Sequence, residues 1–187
     1  MVIVGVDRAV VEEDLVGRRI VCSCGGVLVP WGWARSRVVE GVGWFRPRRG
    51  RCRGCRVTHV LLEASCLVRR CVGVEVIGEV LRLSASGVGA RGCAARLGRS
   101  WETVRGWLRA GRRNAVVAVA VVTGVLVEVD RLAPAPTSAG NVLGDLVEVV
   151  GLLGRAVAGR FGLVVSPWAV VSVVTGGLLL GEGLRVG

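Results

Sequence analysis

Between Arg91 and Arg113 the chain reads RGCAARLGRSWETVRGWLRAGRR, and this stretch limits the fold more than any other. Two short helical patterns are separated by Leu97-Gly98-Arg99-Ser100. Ahead of the break, Cys93, Ala94 and Leu97 fall at i, i+1 and i+4, the spacing of one buried helix face. Gly98 suits a tight turn because, without a Cβ, it takes positive φ at little cost. Ser100 can cap the next helix by accepting a bond from an orphan backbone N–H. Val104, Trp107 and Leu108 then form an apolar stripe, with Arg105, Arg109, Arg112 and Arg113 off it. A helix, a glycine-containing turn and a basic helix make the helix-turn-helix pattern. A plain helical hairpin with a solvated basic face would show the same apolar spacing.

The distribution of charge says more than its total. Net charge is +11, and all 25 basic residues are arginine. Lysine, glutamine and tyrosine do not occur, which looks like the codon bias of a GC-rich genome, so the choice of arginine alone says little. Residues 35–56 carry eight arginines against Glu40, and residues 91–113 carry seven against Glu102. Residues 114–187 carry four arginines against five acids. The basic surface therefore belongs to the first 113 residues, and its expected partner is a polyanion.

Seven cysteines with no visible signal peptide suggest metal before disulfides. Cys22 and Cys24 precede Gly25-Gly26, and Cys52-Arg53-Gly54-Cys55 forms a C-x-x-C knuckle. Short alternating runs with glycine and proline punctuation lie between them, as in a β-hairpin. Two thiolate pairs brought together this way make a tetrahedral zinc site of the ribbon kind, held by Cys22, Cys24, Cys52 and Cys55. The first pair is C-x-C, with Val21 where the usual spacing places a cysteine. A degenerate ribbon that has lost its metal, and redox chemistry at Cys52 and Cys55, are the competing readings. His59 is either a substitute ligand or, as preferred here, a structural hydrogen-bonder. Trp31, Trp33, Trp44 and Phe45 are interleaved with arginines. They suit stacking on nucleic acid, or equally form the small core of the ribbon.

The rest of the chain divides by pattern. Residues 1–20 begin MVIVGV, a short strand pattern, followed by the acidic Glu12-Glu13-Asp14. Residues 21–65 form the ribbon-like module. Residues 66–113 form a three-helix DNA-binding domain whose first helix carries Val74, Ile77 and Leu81. Cys66, Cys71 and Cys93 read as buried apolar positions. Residues 114–187 read as a separate helical part, with APAPTSAG (residues 133–140) as a loop. Within it one helix runs from Asn114 to Leu132, a second is capped by Asn141, and a third starts at Ser166-Pro167. Ala115–Val127 is 13 residues, too short for a bilayer, and Leu163–Gly181 is broken by Pro167 and Gly176-Gly177. The fold expected is α+β, mainly α, with no membrane span and a cytoplasmic location.

CRGCRVTHVLLE (Cys52–Glu63), following PWGWAR (Pro30–Arg35), resembles an uncharacterised actinobacterial family. Members of that family pair a zinc ribbon with a helix-turn-helix and look transposase-related. AARLGRSWETVRGWLR (Ala94–Arg109) and RFGLVVSPWAVVSVVTGG (Arg160–Gly177) are similar to its later segments. The resemblance implies DNA binding connected with mobile elements. The chain departs from the family's C-P-x-C-G-G first knuckle, since VCSCGG shifts the first ligand by one position.

Catalysis is not expected. A transposase of the RNase-H type needs three carboxylates holding two metal ions. The aspartates Asp7, Asp14, Asp130 and Asp145 are scattered, and His59 has no orienting acid near it in sequence. The expected function is sequence-specific binding of double-stranded DNA, transposon-associated or regulatory. Trp101, Glu102, Thr103 and Arg105 would face bases, and Arg91, Arg99, Arg109, Arg112 and Arg113 would contact phosphates. The C-terminal helices could pair two copies. The alternative is a zinc-ribbon module that docks on a protein of a transcription or recombination complex.

Overall fold

Two packing problems are solved side by side, one by strands and one by helices. The computed structural model describes residues 1–5 and 7–184. Val6 of the expected first strand, and residues 185–187 of the C-terminal part, lie outside them. The architecture is α+β and 46% helical, with a small mixed sheet near the N-terminus.

The N-terminal module holds strands β1 (Val2–Val4), β2 (Leu28–Trp33), β3 (Arg37–Val39), β4 (Gly43–Phe45), β5 (Arg48–Cys52) and β6 (Thr58–Glu63). The four-stranded sheet has the order β1-β6-β5-β2, with β1 parallel to β6 and the other pairs antiparallel. Strands β3 and β4 form a separate hairpin. Helix α1 (Arg8–Val16) lies against the sheet, a helix that the acidic run concealed from sequence reading. The Asp7 carboxylate caps it, accepting from the Ala9 and Val10 N–H groups at 2.9 and 3.4 Å. Its inward residues Val11 and Leu15, at i and i+4, join Leu28, Cys52 and Leu61 in one core. Leu15 comes so close to β5 that a Cβ on Gly50 would stand 3.2 Å from it. Arg48 clamps helix to sheet through a bidentate pair with Glu12, 2.6 Å for each bond. That pairing holds the Glu12 carboxyl below its usual range.

The helical body holds α2 (Val74–Ala85), α3 (Ala90–Arg96), α4 (Trp101–Val129), α5 (Val142–Phe161) and α6 (Pro167–Val174). The turn falls where Leu97-Gly98-Arg99-Ser100 interrupts the apolar spacing, with Gly98 at φ 60°. Ser100 Oγ accepts from the Thr103 N–H at 3.3 Å. Asn141 caps α5 through Gly144 N–H, and Ser166 caps α6 with Pro167 in its first turn. Gly162, at φ 64°, ends α5 in the left-handed conformation.

One expectation fails at the centre of the molecule. No new helix begins at Asn114, because α4 runs unbroken for 29 residues across Arg113 and Asn114. The buried positions continue as Val104, Leu108, Gly111, Ala115, Ala118, Val122 and Leu126, so nothing interrupts the i, i+3/i+4 stripe. Asn114 points inward, and its amide donates to the carbonyls of Leu178, Leu179 and Gly181 at 3.4, 3.0 and 2.8 Å. A single apolar core therefore spans the change from basic to neutral sequence. The 13-residue length argument against a membrane span also lapses. By length and composition α4 is the one helix among the described residues that could cross a membrane. Its inward stripe packs against α2, α3 and α5.

Helix α6 is seated on two glycines. The Trp168 ring lies where a Cβ on Gly78 of α2 would stand, 2.4 Å away, and Pro167 lies 2.6 Å from the same position on Gly154 of α5. The two halves meet at Glu40, whose N–H donates to the Cys71 carbonyl at 2.9 Å. Its carbonyl accepts from the Gly73 N–H at 2.7 Å, and its carboxylate pairs with Arg99. Cys66 and Cys93 are buried as expected, but Cys71 is exposed, with only its backbone engaged at that junction.

Gly78→Ala is expected to lower stability by about 1–3 kcal/mol, since the rigid indole cannot yield without moving α6. Thermal denaturation of the variant beside Gly106→Ala, whose position faces open space, checks this. Equal melting of both would show that α6 is not seated as described.

Candidate metal centre and nucleic-acid face

The two knuckles build one sulfur cluster. At the first, Gly25 N–H donates to the Cys22 carbonyl at 2.8 Å, closing a tight turn, and Gly25 takes φ 82°. At the second, Arg56 N–H donates to the Cys52 carbonyl at 3.2 Å, with Arg56 itself at φ 65°. These turns bring the sulfurs of Cys22, Cys24, Cys52 and Cys55 within 4.8 Å of one another. The close pairs run between knuckles, Cys24 to Cys52 at 3.4 Å and Cys22 to Cys55 at 3.8 Å. Four thiolates on one ion at about 2.3 Å would sit about 3.8 Å apart in a tetrahedron. The group could therefore bind a metal ion, and the C-x-C spacing does not prevent the first knuckle from reaching it. The same cross-knuckle pairing draws Cys52 and Cys55 into the four-sulfur cluster.

Acidity within the cluster is uneven. The Gly26 N–H favours the Cys24 thiolate, neighbouring thiols add to this, and its pKa falls to about 6. At Cys55 the Val57 N–H also favours the thiolate, but the Cys24 sulfur and desolvation outweigh it, and the thiol is pushed up to about 11. One sulfur ionises readily and the next resists, as expected of like charges in contact. A divalent cation removes that conflict. His59 is buried, with Nε2 3.3 Å from Cys22 Sγ. Burial also lowers its pKa, so the neutral ring is positioned as a hydrogen-bonding neighbour of the cluster. Gly26, which follows the first knuckle, has a steric part that its place in the motif does not reveal. A Cβ there would stand 2.7 Å from Cys52 Sγ, so only glycine leaves room for the sulfur.

The second basic region presents a face of α4. Glu102, Thr103 and Arg105 are exposed and Trp101 is half-buried, while Val104, Trp107 and Leu108 are turned inward. The Trp101 ring carries Arg91 and Arg105 at 5.5 and 5.1 Å from its centroid. Arg109, Arg112 and Arg113 continue along exposed positions, and Arg112 Nη2 donates to Ser84 Oγ at 3.1 Å. Arg99 stands apart from this group, half-buried and paired with Glu40 of the strand module. That pair joins the two halves. The tryptophans of the module are not its core. Trp31, Trp33 and Trp44 are exposed, and Phe45 alone of the four aromatics is buried.

Two outcomes are expected of the sulfur cluster. Gly26→Ala should weaken metal binding by displacing Cys52, measured by competition with a chromophoric chelator. Affinity should rise with pH from about 6, where Cys24 loses its proton, because protons still held by Cys55 compete with the metal. A flat pH profile between 6 and 8 would contradict thiolate ligation.

Compared with known proteins, the chain matches no family model, no curated protein and no solved structure.

Proposed function

We propose that the chain is a sequence-specific DNA-binding protein, with α3 and the N-terminal half of α4 acting as a helix-turn-helix. The observation that carries this reading is the exposure of Glu102, Thr103 and Arg105 at the start of α4, beside a solvent-facing run of arginines. The N-terminal residues of a recognition helix are those that reach base edges. Arg105, stacked on Trp101, is pre-oriented for bidentate recognition of guanine O6 and N7. Arg91, Arg109, Arg112 and Arg113 contact phosphates on either side. Gly106 supports the same face. It is exposed, and a Cβ there would meet nothing, so its cost within the helix gains nothing in packing. It does let a sugar-phosphate backbone approach closely.

In this reading the four cysteines hold structural zinc, which supplies folding free energy that a small β-module lacks. No reaction is assigned to the chain. A cytoplasmic bacterial protein, transposon-associated or regulatory, fits this role. Pairing of two copies through the C-terminal helices would suit a two-fold operator.

Arg105→Ala is expected to weaken binding to a selected duplex by about 1–3 kcal/mol and to relax specificity at one position. Arg109→Ala should lower affinity evenly across sequences and reduce the slope of log K against log salt by about 1. Electrophoretic mobility shifts on a selected and a random duplex separate the two. Identical losses on both duplexes for both variants would sink the base-reading role of Arg105.

A further inference from the structure

On the flank of α4 that faces away from α3, a basic groove follows the helix. Gly106, Ala110 and Arg113 form one wall of a cleft of about 750 Å³, and Arg69 and Arg70 line its other side. The same two arginines border a second cleft of about 490 Å³, which continues past Thr103 to Ser100 and Gly98. Thr103, Gly106 and Ala110 recur at i, i+3 and i+7, so both clefts follow one side of the helix. Trp101, Arg105 and Arg112, at i, i+4 and i+11, lie on the other side, toward Arg91 and Ser84. Glu102 and Arg109 are exposed on the ridge between the two flanks.

The turn between β6 and α2 brings the two arginines to the groove. Arg69 is exposed at φ 60°, and no acid pairs with it among the described residues. Glycine would suit that backbone better, so the guanidinium is not there for the sake of the turn. Arg70 Nη2 donates to the Leu180 carbonyl at 2.9 Å, which steadies the side chain at the cleft. A guanidinium has five N–H donors, so most of them stay available. Two acids reach the groove. Glu40 is paired with Arg99, and Glu182 stands against Arg69, Arg70 and Arg113, leaving the larger cleft cationic. Small-molecule pockets are mostly apolar. Cations along one wall and small residues along the other instead suit a linear polyanion that approaches closely.

We propose that this groove seats one sugar–phosphate backbone of the duplex, with Arg69 and Arg70 on its phosphates and Arg113 reaching the same strand from α4. Arg91 and Arg112 take the facing strand. A helix lying in the major groove has one backbone along each flank, and the two sets of arginines stand on the two flanks. The inference rests on the duplex-binding role proposed above for α4. It adds contacts from outside the helix-turn-helix, supplied by the turn that joins the strand module to the helical body.

The test uses the full-length, zinc-loaded chain with a selected and a random duplex, in mobility shifts over a salt series. Arg69→Asn, whose new residue tolerates positive φ, and Arg70→Ala should each weaken binding about tenfold on both duplexes. Each should also lower the slope of log K against log salt by about 1. Arg155→Ala removes the same charge from α5 and should change neither. Glu182→Gln should tighten binding about twofold, since it removes the carboxylate nearest the phosphates. Phosphate ethylation then locates the contacts. Arg69→Asn and Arg70→Ala should erase interference on one strand, and Arg91→Ala on the facing strand. Unchanged metal content and circular dichroism show that the variants fold. Wild-type affinity and slope in Arg69→Asn, or loss of the same phosphates in Arg69→Asn and Arg91→Ala, would overturn the groove alone. Equal losses on both duplexes for Arg105→Ala, with the Arg69 and Arg70 variants behaving as stated, would remove base reading and keep the groove. No duplex binding by the unaltered chain would overturn both.

Discussion

The side of α4 that never meets solvent sets the arrangement of the helical half. Val104, Trp107, Leu108, Ala115, Ala118, Val122 and Leu126 form one continuous inward stripe. Burying each larger member contributes on the order of 1.5–3 kcal/mol. Rotating the helix by even one residue would expose most of that stripe, so the outward positions are equally fixed. Glu102, Arg105, Gly106 and Arg109 face solvent because Val104, Trp107 and Leu108 cannot. The basic face owes its precision to an apolar core, much of which lies beyond Arg113. Stability and presentation are therefore inseparable in this helix, although their residues barely overlap in sequence.

The strand module obeys a different constraint. Its core gathers Val11, Leu15, Leu28 and Leu61 around two of the cysteines, a small cluster beside that of the helices. Four thiol groups crowd at one end, where like charge opposes ionisation. The sheet brings them together because β2 and β5 pair Leu28 with Cys52, which aligns the two knuckles. Gly26 and Gly50 allow the close approaches on either side of that pair. Arg99 and Glu40 then tie the module to the turn ahead of α4. The strand module is thus held to the basic helix by a partly shielded ion pair and the backbone bonds beside it.

Much of this was readable where a residue type has one dominant local use. Ser100, Asn141, Ser166-Pro167 and the Gly98 turn all stand where their chemistry placed them. The knuckle cysteines converge in spite of the C-x-C spacing. Other features depend on partners distant in sequence and left no local mark. Helix α1, capped by Asp7, was masked by its acids. The continuity of α4 was hidden by a change in charge that has no bearing on backbone geometry. Gly78 and Gly154 are ordinary helix residues until Trp168 and Pro167 arrive against them. Whether a tryptophan is core or surface depends on which strand face the sheet covers, and alternation alone left both faces open.

Asn114 carries one more implication. Its amide sits at the middle of α4, buried, and its three acceptors lie 64 to 67 residues further along the chain. An unpaired buried amide is costly. During synthesis the first half of α4 and the turn before it leave the ribosome long before Leu178 exists. Until Leu178–Gly181 packs against α4, this amide lacks all three of its acceptors. The nascent chain would thus carry an exposed apolar stripe through the translation of α5 and α6. The order of synthesis, more than the final packing, sets when the basic face acquires its fixed geometry.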